Sequence, residues 1–321
     1  MTDKTAKVSL VFPIYNEAEN IRLLYEQVKK NILQSGVDYE MIFVDDGSTD
    51  GSLENIRALR AQDKKVRYVS LSRNFGHQNA IFAGMSYAEG DCVITMDADL
   101  QHPPALIPTM IDMWRRGAEV VYTTKNRISL SPLDFVLFKA FYWLISKVSN
   151  IELDFGQSDF RLLDRKVLDA VLQIPEYHKF LRGQVKWIGF RQSALSYDVE
   201  RRFEGKTKMS YLKRFSFALD GIFAFSRYPL HIVMLIGISV LIGSSIFIII
   251  VLYFWLLKTL NIPSDMSIPS GFATLAIGIF FLGSIELIAI GLMGEYIGRI
   301  YDQTKGRPVF IVRERSEPGE R

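Results

Sequence analysis

Two long apolar stretches near the C-terminal end of the chain constrain its fold more than any other feature. Residues 232–257 include no charged side chain, and residues 271–294 include only Glu286. At about 1.5 Å of rise per residue, either stretch is long enough as a helix to cross a bilayer. A pair of helices buried in a soluble domain is the alternative, but the rest of the C-terminal region is too short to surround them. The sequence therefore predicts a two-helix transmembrane hairpin with spans at about 231–257 and 271–294.

Basic residues are distributed unevenly around this hairpin. They cluster before the first span (Arg201, Arg202, Lys206, Lys208, Lys213, Arg214, Arg227) and after the second (Arg299, Lys305, Arg307, Arg313, Arg315). The connecting loop holds only Lys258. The positive-inside rule then predicts that both termini are cytoplasmic and that residues 258–270 face the opposite side. We expect an integral protein of the inner (plasma) membrane.

The N-terminal part of the chain alternates short apolar runs with segments of helical periodicity. The four runs are Val8–Ile14, Met41–Val44, Val66–Leu71 and Cys92–Met96. Because these runs are continuously apolar, both faces of each strand are expected to be buried. The pattern predicts an α/β domain in which helices flank a mainly parallel sheet. Ligands bind such sheets at the carboxyl ends of the strands.

Acidic residues follow these predicted strands. Asp97 and Asp99 come after the fourth, and a turn would let both approach one cation. Carboxylate oxygens together with substrate phosphates suit Mg²⁺ or Mn²⁺, and Gln101 could join the same coordination shell. A pair that caps the following helix is the alternative for Asp97 and Asp99. Asp45 and Asp46 follow the second strand, where they could accept hydrogen bonds from a base or a ribose. An Asx turn at Asp46-Gly47-Ser48 is the alternative, and it is compatible with that role.

Three motifs in this order resemble the inverting glycosyltransferases of family 2, which have a GT-A fold: Phe12–Glu17, Val44–Ser48 and Met96–Gln101. Three more resemble the polyprenyl-phosphate glycosyltransferases, which are related to the dolichyl-phosphate mannose synthases: Leu71–His77, Asp159–Leu162 and Arg202–Lys208. The two predicted spans fit the bactoprenol glucosyltransferase branch. The resemblance implies a GT-A, Rossmann-like sheet, followed by interfacial amphipathic helices and the hairpin.

The apolar stretches, the charge pattern and the motifs together divide the chain into four expected regions. Residues 1–205 would form the cytoplasmic catalytic domain and residues 206–228 a juxtamembrane amphipathic segment. The hairpin would occupy 229–298, and 299–321 would be a cytoplasmic tail. We expect residues 313–321 of this tail to be disordered.

The resemblance also implies roles for individual residues. The nucleoside would be held by Pro13, Tyr15, Glu17, Val44 and Asp46, and the metal and diphosphate by Asp97, Ala98, Asp99 and Gln101. Arg202 and Lys208 would close over the donor phosphates. Lys125 and Lys139 would bind the acceptor phosphate, at positions where the mannose synthases carry arginine. Asp99 and Asp159 would be catalytic, with Asp159 as the candidate base. A simple ion pair with Arg161 or Arg165 is the alternative for Asp159.

The implied reaction transfers a hexose, foremost glucose from UDP-glucose, to undecaprenyl or another polyprenyl phosphate on the cytoplasmic leaflet. The configuration inverts, and the products are polyprenyl-phosphate-sugar and UDP. GDP-mannose or an aminoarabinose nucleotide is the alternative donor. A membrane polysaccharide synthase is a second alternative, although the Gln184–Trp187 segment lacks the Gln-x-x-Arg-Trp motif of such enzymes. A non-enzymatic lipid-binding scaffold would leave the acidic clusters without a use.

Charge and glycine spacing bear on the partners. The formal net charge of +3 gives no case for nucleic acid binding. Gly294 and Gly298 form a Gly-x-x-x-Gly spacing, which favours close helix packing and is compatible with a homo-oligomer such as a tetramer.

Overall fold

A computed structural model describes residues 6–125, 157–197, 228–260 and 271–316. The chain forms two compact units. Residues 1–224 together with 307–321 make up the first, and residues 225–306 make up the second. The predicted amphipathic segment lies outside the described residues, except for Tyr228.

The first unit is built around one mixed sheet, to which the described residues contribute eight strands. The strands are β1 (Lys7–Ile14), β2 (Asp38–Asp45), β3 (Val66–Leu71), β4 (Cys92–Thr95), β5 (Val120–Lys125), β6 (Gln157–Asp164), β7 (Gln192–Tyr197) and β8 (Val312–Arg315). Their order is β7-β5-β6-β4-β1-β2-β3-β8. The four predicted strands form the parallel block β4-β1-β2-β3. β6 runs antiparallel to β4 and β5, β7 pairs parallel with β5, and β8 pairs antiparallel with β3.

Helices cover both faces of this sheet. They are α1 (Ile21–Ile32), α2 (Ser52–Gln62), α3 (His77–Ser86), α4 (Ile107–Arg115), α5 (Arg165–Leu172) and α6 (Leu181–Trp187). There are also two short 3-10 turns. Leu33–Ser35 lies between α1 and β2, and Pro104–Leu106 lies between β4 and α4. Helices α1, α2 and α4 share one apolar core, whereas α3, α5 and α6 share the other.

Alternate residues of the central strands enter the two cores. In β2, Met41 and Phe43 belong to the first core, and Ile42 and Val44 belong to the second. All four side chains are fully buried. This alternation explains the continuous apolar runs and confirms the predicted sheet with helices on both faces.

Helix α3 packs unusually close to the sheet. Gly84 lies against β1 and β2, where an added Cβ would come within 2.8 Å of Val44 Cγ2. Such an approach requires glycine at this position. The close packing fixes the height of α3 above the strands and therefore the position of its first residue, His77.

The expected disorder at the start of the 313–321 segment is wrong. Arg313 and Arg315 lie in β8, which pairs with the outer edge of the sheet at β3. The segment was expected to be disordered because it is polar. In the structure, one of its charged residues, Glu314, forms an ion pair with Arg57 of α2. Residues 307–321 group with the first unit, although they follow the apolar helices in sequence.

The second unit contains two long helices that contact each other, α7 (Tyr228–Thr259) and α8 (Phe272–Thr304). Within α8, the 24-residue segment Phe281–Thr304 has a mean hydropathy of 1.4 and is long and apolar enough to cross a membrane. Val233–Phe247 of α7 is a shorter apolar segment. Among the described residues, one helix thus meets the length and composition expected of a span.

Candidate active site

The loops after β1 and β2 are joined to each other by hydrogen bonds. The Asn16 backbone N–H donates to Ser48 Oγ (3.1 Å), and the Thr49 N–H donates to Asn16 Oδ1 (2.8 Å). Glu17 N–H donates to Ser52 Oγ (3.1 Å). Asn16 takes a left-handed conformation (φ 54°), which asparagine tolerates better than most residues. The two loops therefore form one rigid wall at the carboxyl end of the sheet.

The residues predicted to hold the nucleoside lie along this wall. Pro13 and Val44 are paired neighbours on β1 and β2, and both are buried. Tyr15 follows β1 directly and is 49% exposed. Glu17 accepts a hydrogen bond from Asn20 Nδ2 (2.6 Å). The structure thus brings this set to one edge of the sheet, with the aromatic ring open to a ligand.

Asp45 closes the turn after β2. Its Oδ1 accepts from the Ser48 N–H (2.9 Å), and its Oδ2 accepts from Ser70 Oγ (2.8 Å). An Asx-type contact of this kind had been expected one residue later, at Asp46. Asp45 therefore stabilises the turn itself.

Asp46 joins the β2 turn to the loop between β3 and α3. Its two carboxylate oxygens accept from the N–H groups of Phe75 (2.7 Å) and Gly76 (3.0 Å). Burial raises the pKa of Asp46 even though both hydrogen bonds favour the charged form. The adjacent Gly47 has a φ of 72°, and an added Cβ would lie 2.7 Å from the backbone of Asn74. Asp46 thus fixes the β3–α3 loop, and its contact with a nucleoside stays a prediction.

The chain turns sharply directly after Asp99, and the shared binding of one cation by Asp97 and Asp99 stays a prediction. Leu100 has a φ of 60°, a strained value for a leucine. The backbone N–H of Gln101 donates to Asp99 Oδ1 at 3.1 Å. Ala98 between the two aspartates is buried, which leaves Asp97 and Asp99 partly exposed.

Two histidines fix Asp97 from different sides. His77 Nε2 lies 2.7 Å from Asp97 Oδ1. Desolvation opposes the charged imidazole, but the charge of Asp97 raises the pKa of His77 to about 9. His102 is buried, its Nδ1 accepts from the Asp97 backbone N–H (3.2 Å), and its Nε2 lies 2.7 Å from Ser158 Oγ. These contacts assign His102 the neutral tautomer with the proton on Nε2.

The donor atoms at this turn fit a divalent cation that is shared with a substrate. Oδ1 of Asp97 contacts His77, and Oδ1 of Asp99 accepts from a backbone N–H. Within the described part of the chain neither Oδ2 accepts a hydrogen bond, although His102 Nδ1 lies 3.7 Å from Asp97 Oδ2. Gln101 Nε2 is buried without a partner, and rotation of the amide would present its oxygen instead. Among the described residues, no three His, Cys, Asp or Glu side chains could hold a metal together. Two carboxylates with substrate phosphates are a usual set for Mg²⁺.

Asp159 of β6 accepts four N–H hydrogen bonds. Arg182 donates to both oxygens, through Nε (2.8 Å) and Nη2 (2.8 Å). Arg161 Nη2 and Gln78 Nε2 each donate at 3.2 Å. Burial alone would raise the pKa of Asp159, but the two guanidinium groups hold it well below its usual range. The alternative of an ion pair is confirmed for Arg161 and wrong for Arg165, which donates to the backbone carbonyl of Gly90 (2.9 Å).

Sequence reasoning missed most of the side chains around the two acidic positions. Gln78 donates to Asp159 and accepts from the Leu181 N–H at 3.2 Å, so it joins the starts of α3 and α6. Arg182 and His102 were not singled out either. Arg182 lies 23 residues beyond Asp159, and no local motif connects them.

The structure describes only one of the four basic residues that were predicted to bind phosphate. Lys139, Arg202 and Lys208 lie outside the described residues. Lys125 is the last residue of β5, where its backbone pairs with Tyr197. Their roles stay predictions.

The chain is similar to known glycosyltransferases over nearly its whole length. The Glycosyl transferase family 2 model matches residues 9–172. An uncharacterized glycosyltransferase of Synechocystis sp. is 39% identical over 311 residues, which cover 96% of this chain and 95% of the relative. A prophage bactoprenol glucosyl transferase homolog of Escherichia coli is 36% identical over 308 residues, which cover 96% and 98% of the two chains.

Solved structures are more distant. Glucosyl-3-phosphoglycerate synthase from Mycobacterium tuberculosis, in complex with Mn²⁺, UDP and phosphoglyceric acid, is 17% identical with a TM-score of 0.47. That likeness covers 68% of this chain and 76% of the synthase. The matching family model and the full-length relatives carry the assignment instead, and by them the chain belongs to glycosyl transferase family 2.

Proposed function

We propose that this protein transfers glucose from UDP-glucose to a polyprenyl phosphate, with inversion at the anomeric carbon, to give polyprenyl-phosphate-glucose and UDP. The observation that carries the proposal is the similarity to bactoprenol glucosyl transferases along nearly the full length of both chains. One such relative, from Shigella phage SfV, is 35% identical over 97% of this chain and 99% of its own. The turn at Asp97 and Asp99 supports it, because that turn offers two carboxylate oxygens for the donor's metal.

The donor site has a definite arrangement of charges. Asp97 and Asp99 would hold Mg²⁺ or Mn²⁺, which would neutralise charge on the departing diphosphate. His77 holds one oxygen of Asp97 (2.7 Å) and leaves the other for coordination. The backbone N–H of Gln101 does the same for Asp99 (3.1 Å). Each carboxylate is therefore oriented before the donor arrives, which reduces the reorganisation needed during reaction.

Asp159 acts in this proposal as an orienting group. A phosphate oxygen of the acceptor is already anionic near neutral pH, so the attack needs no strong base. Asp159 stays ionised because Arg161 and Arg182 pair with it. Its two oxygens accept from Nε and Nη2 of Arg182, and this bidentate pair fixes the plane of the guanidinium group.

The membrane anchor explains the acceptor. We propose that α7 and α8 form a hairpin in the inner membrane with both termini cytoplasmic, as the flanking basic residues favour. An isoprenoid lipid keeps its phosphate in the headgroup plane, and an anchored enzyme meets it there. Lys125 and Lys139 would bind this phosphate, and Arg202 and Lys208 would cover the donor phosphates.

Assembly is the remaining part of the proposal. Among the described residues, an added Cβ at Gly294 or Gly298 of α8 would meet nothing within 4 Å, so these residues leave room for close approach of another helix. We therefore include a homo-oligomer, such as a tetramer, in the proposed form of the enzyme.

The test uses membranes that contain the full chain. They are given undecaprenyl phosphate, Mg²⁺ or Mn²⁺, and labelled UDP-glucose, UDP-galactose or GDP-mannose, and the lipid extract is counted. We expect lipid label from UDP-glucose, its loss in Asp99→Ala, and its retention in Asp112→Ala. Asp112 is the matched control because its carboxylate is 61% exposed on α4. Label from GDP-mannose would change the donor, label in polymer would favour a polysaccharide synthase, and no label would overturn the proposal.

A further inference from the structure

The C-terminal strand does more than extend the sheet, because it also reaches the loop beside the donor site. Val312 pairs with Leu71, the last residue of β3. One residue further, the Ser72 N–H donates to the Ile311 carbonyl at 2.9 Å. Arg313 Nη2 donates to the Ser72 carbonyl at 3.2 Å. Both backbone groups of Ser72 are thus bound by the C-terminal segment.

The same segment packs on α3. Phe310 contacts Phe82 edge to face, with ring centroids 6.4 Å apart. Val309, Phe310 and Val312 pack against the apolar core that α3 shares with the sheet. The segment therefore contacts the residues before the β3–α3 loop and the helix after it.

The β3–α3 loop and the first residue of α3 contact two acidic residues of the site, Asp46 and Asp97. Phe75 and Gly76 donate to Asp46 at 2.7 and 3.0 Å, and His77 contacts Asp97 at 2.7 Å. The loop backbone also abuts the turn at Gly47. A shift of the loop would therefore move the supports of Asp46 and Asp97 together.

We propose that residues 309–315 are a positioning element, which fixes the β3–α3 loop and thereby orients Asp97 and Asp46 for the donor. The donor-binding part of this inference rests on the proposed function. The contacts that carry it are those of Ile311, Phe310 and Arg313. They connect the segment after the apolar helices to the edge of the sheet where the nucleotide would bind.

The experiment compares full-chain variants of this segment. Phe310→Ala with Arg313→Ala removes the ring contact and the hydrogen bond to Ser72. Arg313→Ala alone is the milder variant, and Arg313→Lys should restore a single N–H donor. Arg57→Ala is the matched control, because it removes an ion pair to Glu314 of the same strand without touching the loop.

Two measurements decide the inference. Amide hydrogen exchange of residues 73–77 should become about tenfold faster in the double variant while the central strands stay protected. The KM for the sugar nucleotide should rise about fivefold or more, with recovery in Arg313→Lys and wild-type behaviour in Arg57→Ala. Unchanged loop exchange, or faster exchange spread evenly over the whole domain, would overturn the inference. If the wild-type protein transfers no sugar, the proposed function fails, and the exchange comparison still decides the role of the strand.

Discussion

Asp159 and the groups around it show how burial and charge combine at a single residue. The carboxylate is only 7% exposed, yet Arg161 and Arg182 keep it ionised. Breaking such a buried pair leaves charges without a partner, which typically costs about 3–5 kcal/mol. Its removal should therefore affect the fold as well as the chemistry.

We predict that Asp159→Asn lowers both the free energy of unfolding and the rate of transfer. An amide NH₂ would face guanidinium donors, so we expect a loss of about 3 kcal/mol at pH 7. Because the pKa of Asp159 is lower in the folded state, its stabilisation is present above the unfolded pKa of about 4 and is lost as pH falls further. The difference between wild type and variant should thus shrink below about pH 4. Denaturation of the detergent-purified proteins at neutral and acidic pH measures this.

Asp112→Asn controls for loss of an exposed carboxylate and should unfold like the wild type. If Asp159→Asn kept full stability at pH 7 and lost only turnover, the orienting role would give way to that of a base.

Single residues also show what sequence could reveal about the site. The position of Asp97 and Asp99 after a strand end was predictable, because a strand end and a two-residue spacing are local features. The partners of Asp159 were not, since Gln78 and Arg182 reach it from α3 and α6. Their convergence on Asp159 depends on how these two helices pack on one face of the sheet.

At the scale of elements, the turn after β2 and the β3–α3 loop behave as one piece. Gly47 is where they touch, and its positive φ and the 2.7 Å to the Arg73 carbonyl carbon leave no room for a side chain. Displacing this contact would pull on the hydrogen bonds from Phe75 and Gly76 to Asp46.

We predict that Gly47→Ala loosens the loop and reduces transfer, whereas Gly36→Ala does not. Both glycines have positive φ, so each substitution costs about 1 kcal/mol of backbone strain. Only Gly47 has neighbours, because nothing lies within 4 Å of an added Cβ at Gly36. Thermal unfolding and transfer assays of the two variants separate strain from the clash. Equal losses of activity would contradict the coupling of the two loops.

The sheet itself was partly predictable. Four strands carried continuous apolar runs and form its parallel centre. β2 extends further toward its N-terminal end than expected, to Asp38, because buried Glu40 is paired with Arg67 (2.6 Å) and accepts from Ser9 Oγ (2.6 Å). β6, β7 and β8 were not predicted. β5 was not predicted either. The pairing of these four strands depends on residues distant in sequence, and β8 is too polar to signal burial.

At the scale of the whole molecule, the apolar helices favour a location in a membrane. Glu286, in the segment Phe281–Thr304, is costly in lipid, and a partner helix would shield it. The chain's lone cysteine, Cys92, is fully buried in β4, and burial raises the pKa of its thiol. The wild-type protein should therefore give little background signal in thiol labelling.

We predict that an impermeant maleimide labels Ser264→Cys, in the loop between the helices, from outside intact cells. Glu320→Cys should react only after permeabilisation, because the proposed topology, which the basic flanks favour, places both termini in the cytoplasm. Wild type controls for Cys92. Labelling of both variants from the same side would contradict the hairpin.

The position of β8 in the sequence has a consequence for biosynthesis. Arg313 follows its partner Ser72 by 241 residues, and both apolar helices are translated in between. Until residues 312–315 leave the ribosome, the β3 strand presents unpaired N–H and C=O groups that other nascent chains could pair with. If synthesis ended within either helix, the released polypeptide would carry every glycosyltransferase motif but would lack β8. The edge of its sheet at β3 would then stay unpaired. Completion of the domain is thus tied to synthesis of both apolar helices.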